Sequence, residues 1–588
     1  MAAKTKLELT WIGKDIRPRL EPRILIEEPE LSYHAKARRD GDIFDNLLIH
    51  GDNLLALKAL ETDPAVRGRV KCIYIDPPYN TGNAFEHYDD SLEHSVWLSL
   101  MRERVEILHY LLADDGFFCA HIDDSEGHYL KIMLDEIFGR SNYLTTLYVQ
   151  VRYAQKTLKQ DMSFHKQVEM VHIYRKSFAA KPSLPKIEIT DEKFCFYVKE
   201  RAQGRSIVLG GKKVTIFRDG EYDIERLEPS SDGLKEIWAT GSILDGNSSG
   251  RFFRDYLSGR VDQDGLGVLY KVEGIGEDKF PYRYFTGPKR AGATKGKYFQ
   301  GIPLSREQKA EATSPIENFY DMAGAFGNCR HEGGVEFRSG KKPEVLLKLI
   351  LERFSAPGDL VLDSFAGSGT TGAVAHKMGR RWVMVELGEH AKSHIVPRMR
   401  NVIDGDDRTG VSAAANWKGG GGYRFARLAP SLLEKDAWGN WVIRKEYNPA
   451  MLAEAMCKHF NYTYAPSAEH FWMHGHSSET SYIYVTTNSL TGEQLRALSE
   501  EVGEHRSLLI CCKAFEEQSA RTLSNLTIRK IPGAVLDRCE WGKDDYSLKI
   551  ESLPMMQEDE DDDLPLAPKR NGKKDAATGD LFADEAEG

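Results

Sequence analysis

Val70-Lys71-Cys72-Ile73-Tyr74-Ile75-Asp76-Pro77-Pro78-Tyr79 reads as a strand driven into a rigid turn. The first six residues are β-branched or largely apolar, as suits a strand buried on both faces of a parallel sheet. The prolines then remove two amide donors and stop the strand. Strand–helix alternation extends on both sides. Leu47–His50 is a short strand, Gly51-Asp52 a turn, and Asn53 the expected cap of a helix with Leu54, Leu57 and Leu60 on one face. Downstream, Trp97, Met101, Val105, Leu108 and Leu112 recur at helical spacing, and Phe117–Ile122 is a strand. A helix with Leu130, Met133, Leu134 and Ile137 follows. This series predicts an α/β fold: a doubly wound, mostly parallel sheet covered by helices.

The alternation breaks down over 141–340, which is expected to be an inserted second domain. It resumes with a helix opened at Lys342-Pro343-Glu344, the strand Leu360–Asp363, a helix and the strand Trp382–Glu386. The core is therefore expected in two halves, 46–140 and 341–400, preceded by an extended arm, 1–45. The glycine run Gly419–Gly422 marks 401–428 as a connector. Residues 429–556 predict a smaller C-terminal α/β module, dispensable for chemistry and used for assembly. Residues 557–588 form an acidic tail that is expected to be disordered.

Hydrophobic residues at 41% and charged residues at 29% exclude a fibrous or wholly disordered chain. Net charge is -10, but the tail holds eleven acids and four bases, so the body is close to neutral and nucleic acid is not excluded. No window approaches the ~18 apolar residues of a membrane span. The eight cysteines form no CxxC pair and no zinc spacing, which fits a reducing cytoplasm.

Two segments carry chemistry. In Phe365-Ala366-Gly367-Ser368-Gly369-Thr370, a glycine pair after a strand lets backbone approach a ligand and opens a helix. Glu386 ends the next strand, where an acid can accept both hydroxyls of a ribose. No GxxxxGK[ST] occurs, so a P-loop is excluded and a nucleoside without a phosphate tail is the expected ligand. In the other segment, the Asp76 carboxylate and the Pro77 carbonyl can accept the two hydrogens of an exocyclic amino group. Pro78 stiffens that turn, and Tyr79 offers a flat face to a planar base.

Together these two motifs resemble those of S-adenosylmethionine-dependent DNA amino-methyltransferases. The catalytic motif precedes the cofactor motif, as in their beta group. Ile49–Leu54, Ile122–Glu126, Asp135–Gly139, Gly296–Pro303 and Lys342-Pro343 narrow the resemblance to modification (Mod) subunits of type III restriction systems. The resemblance implies S-adenosyl-L-methionine as cofactor, with Phe365, Gly367 and Gly369 around its methionine part. Thr370 and Lys342 would lie near its carboxylate, Glu386 at the ribose and Asp52 at the adenosine end. Asp76 in first position favours adenine N6 over cytosine N4. The target base must leave the duplex to be reached. The inserted domain becomes a target-recognition domain. Double-stranded DNA, a homodimer and a restriction (helicase–nuclease) subunit are the expected partners, and a nucleoid-associated place in a prokaryotic cytoplasm is expected. The alternatives are a solitary or other defence-associated methyltransferase, and a DNA-recognition module with vestigial methylation.

Pro281–Gln300 holds Arg283, Lys289, Arg290, Lys295 and Lys297 with no acid, interleaved with aromatics, and is the expected DNA grip. Arg152, Lys156 and Lys159 form a smaller basic cluster. Asp123-Asp124-Ser125-Glu126 reads as a strand-end loop and helix cap, and no metal is expected.

Overall fold

The structure, a computed structural model, describes residues 8–79, 90–153, 164–187, 191–239, 248–276, 278–290, 292, 295–302, 312–337 and 340–547. The acidic tail and most of the 152–159 cluster lie outside these. The chain forms two compact units, 182–318 and the remainder.

The larger unit is built on one sheet. Its strands are β1 (Leu25–Glu27), β2 (Tyr33–His34), β3 (Asn46–His50), β4 (Val70–Ile75), β5 (Leu112–Ile122), β6 (Tyr143–Gln150), β7 (Val168–Arg175), β8 (Phe319–Asp321), β9 (Leu360–Asp363), β10 (Arg381–Glu386) and β11 (Gly422–Leu428). The order is β1-β11-β3-β10-β9-β4-β5-β7-β6-β8, with β2 also on β11. From β11 to β5 every pairing is parallel, and β7 runs antiparallel to both neighbours. Side chains alternate across each strand. Ile73 and Ile75 therefore pack with Leu57, Trp97 and Leu130, from helices α1 (Asn53–Leu60), α2 (Asp90–Leu111) and α3 (Gly127–Leu134). Cys72 and Tyr74 face the opposite layer, with Leu347, Ala373 and Met399 from α4 (Glu344–Phe354), α5 (Thr370–Lys377) and α6 (Val396–Asp404). The sheet is doubly wound.

Chain leaving β9 returns through α5 to β10 on one side, and chain leaving β4 returns through α2 to β5 on the other. The crevice beyond the carboxyl ends of β9 and β4 is thus a topological switch point, where open α/β sheets bind ligands. No helix among the described residues is long and apolar enough to cross a membrane.

Several expected boundaries move. The 1–45 arm is not merely extended, because β1 and β2 pair antiparallel with β11 and supply the edge it would otherwise expose. The second domain begins later than 141 and ends before 340, because β6, β7 and β8 complete the main sheet. The irregular pattern there marks a switch to antiparallel pairing, not a domain boundary. Residues 401–428 are not a connector: α6 runs into them and β11 closes them. Gly419, Gly420 and Gly421 adopt φ of +86°, +127° and +73° in a packed turn, and a Cβ on Gly421 would meet the Ile43 carbonyl at 2.6 Å. Asp52, not Asn53, caps α1, and Pro343 caps α4 from just outside it.

The C-terminal module has a five-stranded sheet, Thr463–Tyr464, Gly475–Ser478, Ser481–Val485, Ser507–Cys512 and Leu526–Lys530 in that order. It is bound tightly to the core. Buried Glu21 accepts from the Leu432 amide at 2.7 Å, and buried Arg23 donates to the Ala429 carbonyl at 2.8 Å. Arg104, 1% exposed, lies against Asp52 and donates to the Tyr546 carbonyl at 3.3 Å. These contacts make the module part of the same compact unit as the core. Removing these backbone partners would leave Glu21, Arg23 and Arg104 short of hydrogen bonds to charged groups, at about 1–3 kcal/mol each. A chain truncated after Leu428 is expected to be insoluble or to melt far below the full-length protein; equal melting temperatures would contradict this.

The 182–318 unit carries a six-stranded antiparallel sheet ordered Arg205–Leu209, Lys212–Phe217, Leu269–Glu273, Tyr282–Thr286, Lys297–Gln300 and Lys235–Trp238. Its core includes Val214, Phe253, Tyr270, Phe285 and Tyr298.

Candidate active site

The β4 and β9 loops bring the two motifs to the switch point. Below the first, Trp97 is fully buried and donates its indole N–H to the Pro78 carbonyl at 2.9 Å. This fixes the turn that Pro77 and Pro78 already stiffen. The Asp76 Oδ1 accepts the Tyr79 hydroxyl at 2.8 Å and lies 3.3 Å from Lys342 Nζ. Asp76 Oδ2 and the Pro77 carbonyl have no partner among the described residues. The turn therefore offers two uncommitted acceptors from a fixed frame.

Lys342 is the hub. Its ammonium also donates to the Tyr79 hydroxyl at 2.6 Å and to Glu169 Oε2 at 3.1 Å. Glu169 lies 2.7 Å from His121 Nε2, whose Nδ1 is 2.7 Å from the Tyr74 hydroxyl. Burial alone would lower the Lys342 pKa, but the charges of Asp76 and Glu169 outweigh it and raise it. Burial would raise Glu169, but Lys342 and His121 hold it well below the usual carboxylate range. Burial, with Asp76 and Glu169 beside it, pushes the Tyr79 phenol far above 10. At neutral pH Lys342 is an ammonium, Glu169 a carboxylate and Tyr79 a neutral hydroxyl.

In the second loop Gly367 and Gly369 take φ of +53° and +76°, a region that favours glycine. A Cβ on Gly367 would meet nothing nearer than the Phe365 carbonyl at 3.9 Å, whereas one on Gly369 would strike Ile395 at 2.9 Å. Gly367 borders open space; Gly369 is a packing position. Glu386 accepts from the Gly367 amide at 2.7 Å and the Gly388 amide at 2.9 Å, and pairs with His390 at 3.0 Å. Phe365 is partly buried, with its amide donating to Asp363. Burial raises Asp363 to about 7, against hydrogen bonds from Thr371 and the Phe365 amide, with Asp76 and Glu386 adding to the rise. A raised carboxyl is a stability contribution present below the unfolded pKa of 3.8 and lost as pH climbs through about 7. Asp363→Asn is expected to flatten the fall in melting temperature over that window; parallel wild-type and variant profiles would contradict it.

Other sequence-predicted residues sit differently. Lys342 lies at the Asp76 turn, paired with Asp76 and Glu169. The Thr370 hydroxyl is buried and accepts from Arg398 at 2.8 Å, so it braces the loop. Asp52 is 1% exposed, caps α1 and accepts from the Leu55 and Tyr546 amides, each at 3.0 Å. Asp123 accepts from the Ser125 amide at 2.9 Å, closing a turn before α3.

In the smaller unit, Arg283 is buried against Asp278 and Ser249, and Lys297 pairs with Glu236 at 2.7 Å. These acids come from outside 281–300, so the acid-free run did not imply free bases. Tyr284, Phe285, Tyr298 and Phe299 are core. Lys289, Arg290 and Lys295 remain exposed.

The family model described as DNA methylase (N6/N4) matches residues 70–397, from β4 to the start of α6. The chain belongs to this DNA methylase family. The methylase is 32% identical over 429 residues to the probable type III restriction-modification enzyme HindVI Mod subunit of Haemophilus influenzae, covering 67% of the chain and 55% of that protein. It is 26% identical over 422 residues to the EcoPI Mod subunit of Escherichia phage P1, covering 64% and 62%. It is 35% identical over 348 residues to the type II methyltransferase M.KpnI of Klebsiella pneumoniae, covering 55% and 75%. The chain thus spans little more than half the length of the first of these relatives.

Sequence reasoning missed Glu169, His121 and the Trp97 hydrogen bond. The available signal was a polar side chain set among apolar neighbours: His121 at the end of the run Phe117–Ile122 in β5, and Glu169 between Val168 and Met170 in β7.

Proposed function

We propose that this methylase transfers a methyl group from S-adenosyl-L-methionine to adenine N6 in duplex DNA, as the modification subunit of a type III restriction system. The observation that carries the chemistry is the pair of uncommitted acceptors, Asp76 Oδ2 and the Pro77 carbonyl, beside a glycine loop at the switch point. The residues fit the cofactor: a Cβ on Gly367 would project into open space next to the partly buried Glu386. Glu386 would take the ribose and the 365–369 loop the methionine part. The cofactor, when bound, supplies a methyl already activated on a sulfonium.

The chain orients the acceptor. Adenine N6 is a poor nucleophile because its lone pair is delocalised into the ring. Accepting both of its hydrogens at Asp76 and Pro77 favours a lone pair directed at the methyl. Fixing that geometry removes much of the entropic part of the barrier. The flipped base meets Tyr79, whose hydroxyl is anchored by Asp76 and Lys342. Lys342 sits between the carboxylates of Asp76 and Glu169 and offsets their mutual repulsion.

The type III assignment, a restriction (helicase–nuclease) partner and a homodimer rest on likeness to the two Mod subunits. We assign DNA gripping to the 182–318 unit through exposed Lys289, Arg290 and Lys295. Neutralising all three is expected to weaken DNA binding and reduce the log–log salt slope by about 2.7, at roughly 0.9 per phosphate contact. An unchanged slope would make them bystanders. The function itself is tested by titrating the protein with S-adenosyl-L-methionine in a calorimeter and following labelled methyl into duplex DNA. Binding followed by DNA labelling is expected; absence of either contradicts the proposal.

A further inference from the structure

At the far end of α1 from the Asp52 cap lies a cleft of about 440 Å³, between the core and the C-terminal module. Its walls include Lys58, Arg67, Tyr110, Lys458, His459 and Arg538. Lys58 is neutralised by Glu61 at 2.5 Å. Arg67, Lys458 and Arg538 have no carboxylate within ion-pair distance among the described residues, and Glu454 and Asp63 act on Lys458 only from farther off, so the cations of the lining outnumber its one acid, Glu61.

Each cation is held in place. Arg67 stacks on Tyr110 at 4.9 Å, and Arg538 stacks on Phe460 at 4.3 Å while donating to the His459 carbonyl. Lys458 reaches only neutral oxygens, Thr62 Oγ1 at 3.2 Å and the Ala59 carbonyl at 3.4 Å, which leaves one ammonium donor unused. His459 is 5% exposed, and its Nε2 has no partner. Its Nδ1 faces Cys539 Sγ at 3.9 Å. Burial holds this imidazole down at about 4 and the thiol up at about 11, so the ring is neutral and the thiol protonated at pH 7. A thiol donating to Nδ1 leaves Nε2 as the N–H donor. An anion in the cleft would offset the mutual repulsion of the partly desolvated Lys458 ammonium and the two exposed, ring-stacked guanidinium groups. The cleft volume suits a ligand the size of a mononucleotide.

We infer that this cleft binds a phosphate-bearing ligand, with Lys458, Arg538 and Arg67 on the phosphates. The phosphate belongs either to a free nucleotide or to the DNA backbone. The inference does not depend on the methyl-transfer reading, because none of these residues belongs to the Asp76 or Gly367 loops.

The test is calorimetry and thermal melting of the full-length protein with inorganic pyrophosphate, ADP, and a short DNA duplex as competitor. Pyrophosphate is expected to bind and to raise the melting temperature. Lys458→Gln and Arg538→Gln are each expected to weaken it at least about tenfold, as loss of a charge-assisted hydrogen bond predicts. Arg67→Gln, at an exposed position, gives the same reading should Lys458→Gln fail to fold. Tight ADP binding that duplex does not displace identifies a free nucleotide; displacement by duplex identifies backbone phosphate. No binding of any probe by the wild type, or binding unchanged in the variants, overturns the assignment.

Discussion

Asp76→Ala is expected to lower methyl transfer by about 10²- to 10³-fold, the usual cost of removing one polar group that acts on the reacting centre. Cofactor affinity should be close to wild type, because among the described residues Asp76 pairs with Tyr79 and Lys342 and makes no hydrogen bond to the 365–369 loop. Asp76→Asn separates charge from shape. It keeps the side-chain volume but replaces one acceptor by a donor that opposes the amino group. Both variants should fail in the chemical step, with KM little changed. Transfer at near wild-type rate in either one would remove Asp76 from the reaction.

Gly367→Val should do the opposite. Valine at φ +53° is strained, and its side chain would fill the space beside the Glu386 carboxylate. S-adenosyl-L-methionine binding is expected to fall by at least about a hundredfold, with the expected intrusion costing some 3 kcal/mol. The melting temperature should drop modestly, because nothing packs against that position. Gly369→Ala provides the contrast: its Cβ strikes Ile395, so stability should suffer first. Cofactor binding unchanged in Gly367→Val would place the ligand elsewhere.

Both motifs were legible because each is local. A strand, an acid and two prolines are contiguous in Val70–Pro78, and a strand with a glycine pair is contiguous in Leu360–Gly369. Their meeting at the switch point follows from parallel strands with crossovers to opposite sides. What could not be read depends on long-range pairing. Lys342 meets Glu169 only because β7 inserts beside β5. Arg283 looked free because Asp278 lies just outside the acid-free window and Ser249 is distant in sequence. The glycines of 419–421 look the same in sequence as a linker, and only the approach of Ile43 and Ile403 shows a packed turn. Charge and glycine content report composition; partners are set by topology.

The most direct measurement identifies the methylated base. Duplex DNA incubated with the protein and isotope-labelled S-adenosyl-L-methionine is digested to nucleosides and resolved by mass spectrometry. Asp76 and the Pro77 carbonyl acting on adenine N6 predict label in N6-methyldeoxyadenosine alone, reduced by about 10²- to 10³-fold with Asp76→Ala. Label in N4-methyldeoxycytidine, or no labelled nucleoside from the active wild-type protein, would contradict it.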